Sequence, residues 1–289
     1  MDIAIVTGTS TGIGFATSLH LARHGYRVFA GMRNLAKAGP LRAAAAEAQL
    51  PVDVIPLDVT STPSVREAFA AVSTHGPVDV LVNNAGIGGA APLEITPEAE
   101  HRAMFETNYF GAIRCIQAVL PTMRERRRGT IVNVTSIGGR IATPNQIAYS
   151  ASKWALECAG EALAHEVRRF GIRVVNVEPG VVMTSIFENS AEATRYDKTS
   201  PYQPIMRRNG KLFAAGFRDP SQAEDVARTI LDAIRSDTYR LRWLVGKDAA
   251  GLANGRAQIS DETWVAMGED LQDQDYNQRF LDYFGIQLS

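Results

Sequence analysis

Short apolar runs without polar–apolar alternation recur along the chain, each separated from the next by a stretch with helical spacing. Ile3–Thr7, Arg27–Gly31, Val52–Pro56, Val78–Val82, Thr130–Val134, Ile172–Val177 and Leu241–Val245 are such runs. A strand with both faces buried needs no polar face, so it reads as nearly continuous Val, Ile and Leu. Between the runs, helix is expected over residues 12–24, Leu35–Leu50, Pro63–His75, Glu98–Leu120, Tyr149–Phe170 and Pro220–Ser236. Alternating strand and helix units imply a parallel sheet with right-handed crossovers and helices on both faces. A chain of 289 residues that is 45% hydrophobic can bury one such core, so one domain is expected.

Charge and cysteine usage exclude several classes. The formal charge is −1 with both signs mixed throughout, which leaves neither a nucleic-acid footprint nor an acidic tail. The densest basic run, Arg124–Arg128, follows a helix-like segment and precedes Gly129, as a solvated helix end would. Cys115 and Cys158 fall in helix-like apolar segments without metal-ligand spacing, and read as buried free thiols of a cytoplasmic protein. A strand at the N-terminus leaves no room for a secretory leader, and no apolar run approaches membrane-spanning length. Cytoplasmic residence is the expectation.

Chemistry concentrates where the runs end. Ser136 follows the fifth run, and thirteen residues later Tyr149 and Lys153 stand i, i+4 on a predicted helix, on one face. A phenol holds its proton at neutral pH, an ammonium one turn away favours the phenolate, and a serine hydroxyl can hold a substrate oxygen. Together they make a proton-transfer device, although a Tyr-xxx-Lys pair alone also occurs on many solvated helices. The first run breaks into Gly8-Thr9-Ser10-Thr11-Gly12-Ile13-Gly14 and a helix, the context in which glycines admit a pyrophosphate to unpaired N–H groups; on spacing alone a plain turn would do as well. Arg33 closes the second run, where a doubly wound fold contacts the adenosine ribose. Asn83-Asn84-Ala85-Gly86 closes the fourth, for ligand contact or for satisfying a bent backbone. Asn108, among apolar neighbours, needs partners, either a helix carbonyl with water or a satisfied core amide.

Residues 185–219 carry no strand pattern, only Phe187, Tyr196, Tyr202, Phe213 and Phe217 among Pro, Gly and charge, and so suggest a substrate-binding loop. Beyond Gly246, Ser260-Asp261-Glu262 can cap a helix carrying Trp264, Met267 and Leu271, and Phe280, Leu281 and Phe284 form a second apolar cluster. Residues 1–246 are thus expected to form one doubly wound α/β domain with its substrate loop at 185–219, and residues 247–289 a C-terminal helical extension packed on it.

Thr7-Gly8-xxx-Gly12-Ile13-Gly14, Asn83-Asn84-Ala85-Gly86, Asn108, Ser136, Tyr149-xxx-Lys153 and Pro179-Gly180 with Thr184 together resemble the short-chain dehydrogenase/reductase family, over roughly residues 3–246. The pattern is most similar to the hydroxysteroid and retinoid branch. The resemblance implies a doubly wound, Rossmann-type α/β fold with a seven-stranded parallel sheet of order 3-2-1-4-5-6-7. It implies Tyr149 as acid/base, Lys153 on the nicotinamide ribose, Ser136 on the substrate oxygen and Asn108 in a proton relay. The coenzyme would lie along Gly8, Thr9, Ser10, Thr11, Gly12, Ile13 and Gly14, with Asp58 and Val59 at the adenine, Asn84, Ala85 and Gly86 alongside, and Pro179, Gly180 and Thr184 at the nicotinamide end. Arg33 in place of a carboxylate points to NADP(H), with NAD(H) as the lesser coenzyme, because a guanidinium clamps a 2′-phosphate. No second basic residue stands in the glycine loop. The expected substrate is a small apolar carbonyl or alcohol compound, and wide apolar arcs on the helices around Phe105–Ile116 and Trp154–Val167 suggest a homodimer or homotetramer. A coenzyme-binding regulatory or scaffold protein of the same fold is the second reading, opposed by the retention of both Tyr149 and Lys153. A sugar-nucleotide epimerase is the third, opposed by chain length and glycine spacing.

Overall fold

The computed structural model describes residues 1–186 and 193–288. Seven parallel strands, β1 (Asp2–Thr7), β2 (Tyr26–Met32), β3 (Val52–Pro56), β4 (Val78–Asn83), β5 (Gly129–Val134), β6 (Ile172–Pro179) and β7 (Arg242–Val245), form one sheet of order β3-β2-β1-β4-β5-β6-β7. Alternate residues of each strand enter opposite cores. Ile3, Ile5, Leu81, Ile131 and Val174 join one cluster, while Ala4, Val6, Val80, Val82, Val132 and Val175 join the other. Two buried faces are the reason the strand sequences show no alternation.

Helices α1 (Gly12–Arg23), α2 (Gly39–Glu47), α3 (Thr62–Ser73), α5 (Gly111–Arg126), α6 (Ile147–Val167) and α8 (Ala223–Arg235) cover the sheet, α4 (Glu98–Phe105) packs on α6 and α7 (Gln203–Gly216) on the C-terminal segment, in which α9 (Lys247–Gln258), α10 (Asp261–Ala266) and α11 (Asp273–Phe284) follow the last strand. Val65, Phe69 and Val72 of α3 and Cys115, Ile116 and Val119 of α5 cover one face; Leu21 of α1 and Val226 and Ile230 of α8 cover the other. Ile137 and Ile141, just beyond β5, cluster with Ala249, Leu252, Met267, Phe280 and Phe284 of the C-terminal segment, and Ser260 Oγ caps α10 by accepting from Thr263 N. The strand order reverses between β2 and β4 on either side of β1. Residues at the carboxyl ends of β1 and β4 therefore open onto a crevice where a ligand is admitted without breaking the ladder.

Several local expectations are corrected. The irregular stretch expected at 185–219 contains α7, which starts with Pro204 in its first turn and buries Met206, Arg208 and Asn209; Gly210 in its middle hides the helical pattern. Phe187 lies outside the described residues. Leu35–Leu50 divides into a short 3-10 turn, Leu35–Lys37, and α2, because Pro40 suits only a helix start. The single helix expected from Glu98 becomes α4, a π-helical turn over Glu106–Phe110, and α5. Cys115 is buried as expected but Cys158 is exposed, since it lies one turn from the exposed Trp154 on the outer face of α6. Arg126 and Arg128 of the basic run are not merely solvated: they pair with Asp79 at 2.7 Å and Asp2 at 2.6 Å. No helix among the described residues is long and apolar enough to cross a membrane.

Candidate active site

The glycine loop is built by close approach. Gly8 has φ +71°, and a Cβ there would lie 2.7 Å from Ala85 Cα; one at Gly14 would lie 2.4 Å from Gly8 O and 2.5 Å from Asn84 Nδ2. Asn84 braces the turn, its Nδ2 donating to Thr7 O at 2.9 Å and Gly8 O at 3.0 Å. Thr9 does not reach the crevice: it is wholly buried, and its N and Oγ1 both donate to Gly31 O at 3.1 Å, tying the loop to β2. The N–H groups of Gly12, Ile13 and Gly14 have no acceptor among the described residues, since the first helical bond is donated by Phe15, and no side chain caps the helix. Such a helix start is a ready anion site.

Ser10, Thr11, Gly12 and Ile13 line a cavity of about 1110 Å³, and so do Arg33, Asp58 and Val59 beside β2 and β3 and Asn84, Ala85 and Gly86 beyond β4. Ser136, Tyr149, Lys153, Pro179, Gly180 and Thr184 line the same cavity. Arg33 and Lys37 are exposed and pair with no described residue. Lys37 escaped sequence reading because its place on a 3-10 turn facing the crevice is set by the break before α2.

Around the proton-transfer trio, glycines replace side chains that would intrude. A Cβ on Gly138 would lie 3.3 Å from Tyr149 Cε1 and 3.4 Å from Ser136 Oγ, so these two groups share the space it leaves. A Cβ on Gly86 would lie 3.3 Å from Asn108 Oδ1 and 3.5 Å from Lys153 Nζ. Ser136 Oγ accepts from Gly138 N at 3.0 Å. Lys153 Nζ donates to Val134 O at 2.9 Å and stands 6.0 Å from the Tyr149 ring centre. Burial pushes the Tyr149 phenol above its ordinary value, with a hydrogen bond to Ser136 opposing. Burial likewise brings Lys153 down to about 8, with Glu157 opposing. Burial of the phenol thus works against the pull expected of the Lys153 ammonium.

Asn108 lies behind the lining, in the π-helical turn. Its Oδ1 accepts from Ile87 N at 2.8 Å, and its Nδ2 donates to Ile87 O at 3.0 Å and to Ser152 Oγ at 2.9 Å. It is a satisfied core amide that joins the loop after β4 to α6.

Two supports were not legible beforehand. An amide ladder crosses the sheet, Asn83 donating to Asn133 at 3.0 Å, Asn133 to Asn176 at 3.1 Å and Asn176 to Glu157 Oε2 at 2.8 Å. Thr135 Oγ1 donates to Glu157 Oε1 at 2.5 Å, so the helix turn after Lys153 is fixed to three strands. Asp248 of α9 accepts from Val181 N at 2.6 Å and fills the space beside Gly180. The only sequence signal for the ladder is an asparagine at the same register in β4, β5 and β6.

Residues 2–195 match the family model for short chain dehydrogenases. The 3-ketodihydrosphingosine reductase of Bacteroides thetaiotaomicron is 40% identical over 250 residues, covering 85% of this chain and 88% of that protein. Human retinol dehydrogenase 8 is 38% identical over 255 residues, 82% of this chain and 79% of its own length. A crystal structure of a short-chain dehydrogenase from Streptomyces avermitilis is similar with a TM-score of 0.80 and 35% identity, over 93% of this chain and 98% of that one.

Proposed function

The chain belongs to the short-chain dehydrogenase family of NAD(P)-dependent oxidoreductases acting on CH–OH and C=O groups, and on that premise we propose that it exchanges a hydride between NADP(H) and an apolar ketone or secondary alcohol. The observation that carries this reading is the convergence of Ser136, Tyr149 and Lys153 on a cavity that also holds the open start of α1 and the two exposed cations Arg33 and Lys37. The glycine approach and the free N–H groups of Gly12, Ile13 and Gly14 fit a pyrophosphate; Arg33 and Lys37 fit a 2′-phosphate. NAD(H), which lacks that phosphate, is the weaker coenzyme. Two thiols outside any disulfide suit a reducing compartment, the cytoplasm.

Bound nicotinamide supplies or accepts the hydride. The residues of this chain manage the proton. Ser136 Oγ holds the substrate oxygen, and Tyr149 Oη, kept protonated by burial, passes its proton to that oxygen as a carbonyl is reduced. In the oxidative direction Tyr149 must take the proton, and the nearby Lys153 ammonium then offsets the negative charge on the phenolate. Lys153 also reaches the nicotinamide ribose in this reading. Asn108 holds the backbone around Ile87 in place for a proton relay.

A coenzyme-coupled screen of ketones and secondary alcohols, followed by the absorbance of reduced nicotinamide, tests the reading. Tyr149→Phe is expected to lower kcat by ~10²–10⁴-fold while coenzyme affinity stays close to that of the wild type. Turnover unchanged in the folded variant would remove Tyr149 from the chemistry.

A further inference from the structure

Behind the proton-transfer trio, two buried carboxylates meet one guanidinium. Glu157 of α6 is 4% exposed, and Glu178, at the end of β6, has no exposed surface. Arg242 Nε of β7 lies 3.0 Å from Glu157 Oε2 and 3.4 Å from Glu178 Oε1. Glu157 is well satisfied, since Thr135 Oγ1 donates to its Oε1 and Asn176 Nδ2 to its Oε2. Glu178 is not: its Oε1 has no hydrogen bond among the described residues, and its Oε2 meets Arg140 Nη1 at 3.4 Å. The other charges nearby are turned elsewhere. Glu161 of α6 pairs with Arg242 Nη2 at 2.5 Å, Lys153 donates to Val134 O, and Asp248 of α9 accepts from Val181 N.

Two like charges beside one cation leave the carboxyl with fewer donors the weaker acid. Burial first, and then the Glu157 charge, push Glu178 up to about 7, with Arg140 and Arg242 opposing. Its charge therefore changes across the neutral range, and Arg140 faces that change. Arg140 N donates to Ile137 O at 2.9 Å and Gly139 N to Ser136 O at 2.8 Å, closing the 3-10 turn Ile137–Gly139. Within that turn Gly138 N donates to Ser136 Oγ at 3.0 Å, and Ser136 Oγ lies 3.5 Å from the carbonyl of Pro179, the residue after Glu178. Ser136 and Pro179 thus join the two segments at the cavity wall, and Arg140 and Glu178, neither of which lines the cavity, join them from outside it.

We propose that Glu178 is a positioning residue for the reaction: ionised, its carboxylate holds Arg140 against the end of β6 and so fixes the turn that aims Ser136 Oγ, and protonated, it lets that turn loosen. Losing the proton exchanges a neutral contact for a charge-assisted one, about twice as strong. Turnover is therefore expected to rise as Glu178 ionises. Lys153 acts in the opposite sense, since it sheds its proton as pH rises past about 8 and contributes to an alkaline limb. This rests on the catalytic reading of Ser136 and Tyr149.

The full chain is assayed for kcat with saturating NADPH and a reducible ketone across the neutral range, each variant being checked for fold by circular dichroism. Wild type is expected to lose about tenfold in kcat from about pH 8 to about pH 6, following the uptake of one proton. In Glu178→Gln, a neutral isostere, that acid limb is expected to be absent, with kcat near the acidic level of the wild type and the alkaline limb and the KM for NADPH retained. Arg140→Gln is expected to behave in the same way, whereas Arg140→Lys keeps the cation and with it the acid limb. An acid limb that persists in Glu178→Gln, or kcat like that of the wild type at neutral pH in folded Arg140→Gln, would overturn the proposal alone. Should Glu178→Gln fail to fold, the two Arg140 variants decide. A wild type that reduces no ketone at any pH, with coenzyme bound, would overturn it together with the Tyr149 reading.

Discussion

Lys153 is an ammonium 5% exposed with one carbonyl acceptor, and its descent from 10.5 to about 8 sets the sign of a stability effect. Holding the charged form folded at neutral pH costs about 3 kcal/mol. Between pH 8 and 10.5 the unfolded chain keeps a proton that the folded chain has released, so stability contributed at this site rises with pH through that window. Lys153→Met is therefore expected to be more stable than wild type at pH 7, by about 1–3 kcal/mol, while losing turnover, and the difference should shrink on going from pH 8 toward 10. Melting curves across that range check it; a variant less stable at pH 7 would mean that the bond to Val134 O outweighs the burial of charge. At the other end of the cavity, Arg33 and Lys37 have no partner among the described residues. Arg33→Ala and Lys37→Ala are each expected to weaken NADP(H) binding about tenfold and leave NAD(H) nearly unchanged, since a charge-assisted bond to a phosphate is worth about 1.5–3 kcal/mol. Coenzyme titration of both variants separates them: Lys37→Ala with unaltered NADP affinity would reduce Lys37 to a solvated residue.

Among the elements, the turn into α1 depends on absent volume. Gly14 does not have a positive φ, so its requirement is space alone, between Gly8 O and Asn84 Nδ2. Gly14→Ala is expected to force the loop open and raise the coenzyme Kd more than tenfold with the circular dichroism of the fold retained. Gly39→Ala, at a helix start where a Cβ would meet nothing within 4 Å, is the control and should bind as wild type. Equal binding by both variants would show that the loop yields without consequence. The turn itself was legible, because a strand, a glycine cluster and a helix are adjacent in the chain. Helix α7 was not: Gly210 breaks its sequence pattern though not the helix, and its apolar side is fixed by the tail that covers it, with Leu212 and Ala215 packing on the cluster of Phe280 and Phe284. The π-helical turn at Asn108 was likewise hidden, since its side chain bonds to Ile87 and Ser152, 21 and 44 residues away.

For the whole molecule, the outer faces of the π-helical turn before α5 and of α6 remain open in the single chain. Phe110 is 46% exposed and Trp154 48% exposed, on neighbouring helical segments. Such large apolar side chains on adjacent elements fit a helix-to-helix interface with a second copy. Light scattering at micromolar concentration is expected to give at least a dimer mass, and Trp154→Glu a monomer; a monomeric wild type would remove the interface. The strand order followed only from the family resemblance; the sequence by itself determined the alternating units, the parallel sheet, the glycine turn, and the placing of Tyr149 and Lys153 on one helix face shortly after Ser136. These depend on periodicity and on steric rules that act over a few residues or between successive units. Tertiary structure alone decided that burial pushes the Tyr149 phenol upward, that Glu157 is held by an amide ladder from three strands, and that Asp248 supports Val181 from 67 residues away. It also decided that Lys37 joins Arg33 in the wall of the cavity. Dielectric, desolvation and hydrogen-bond satisfaction depend on which distant groups fill the space around a side chain, and no local pattern of residues encodes that.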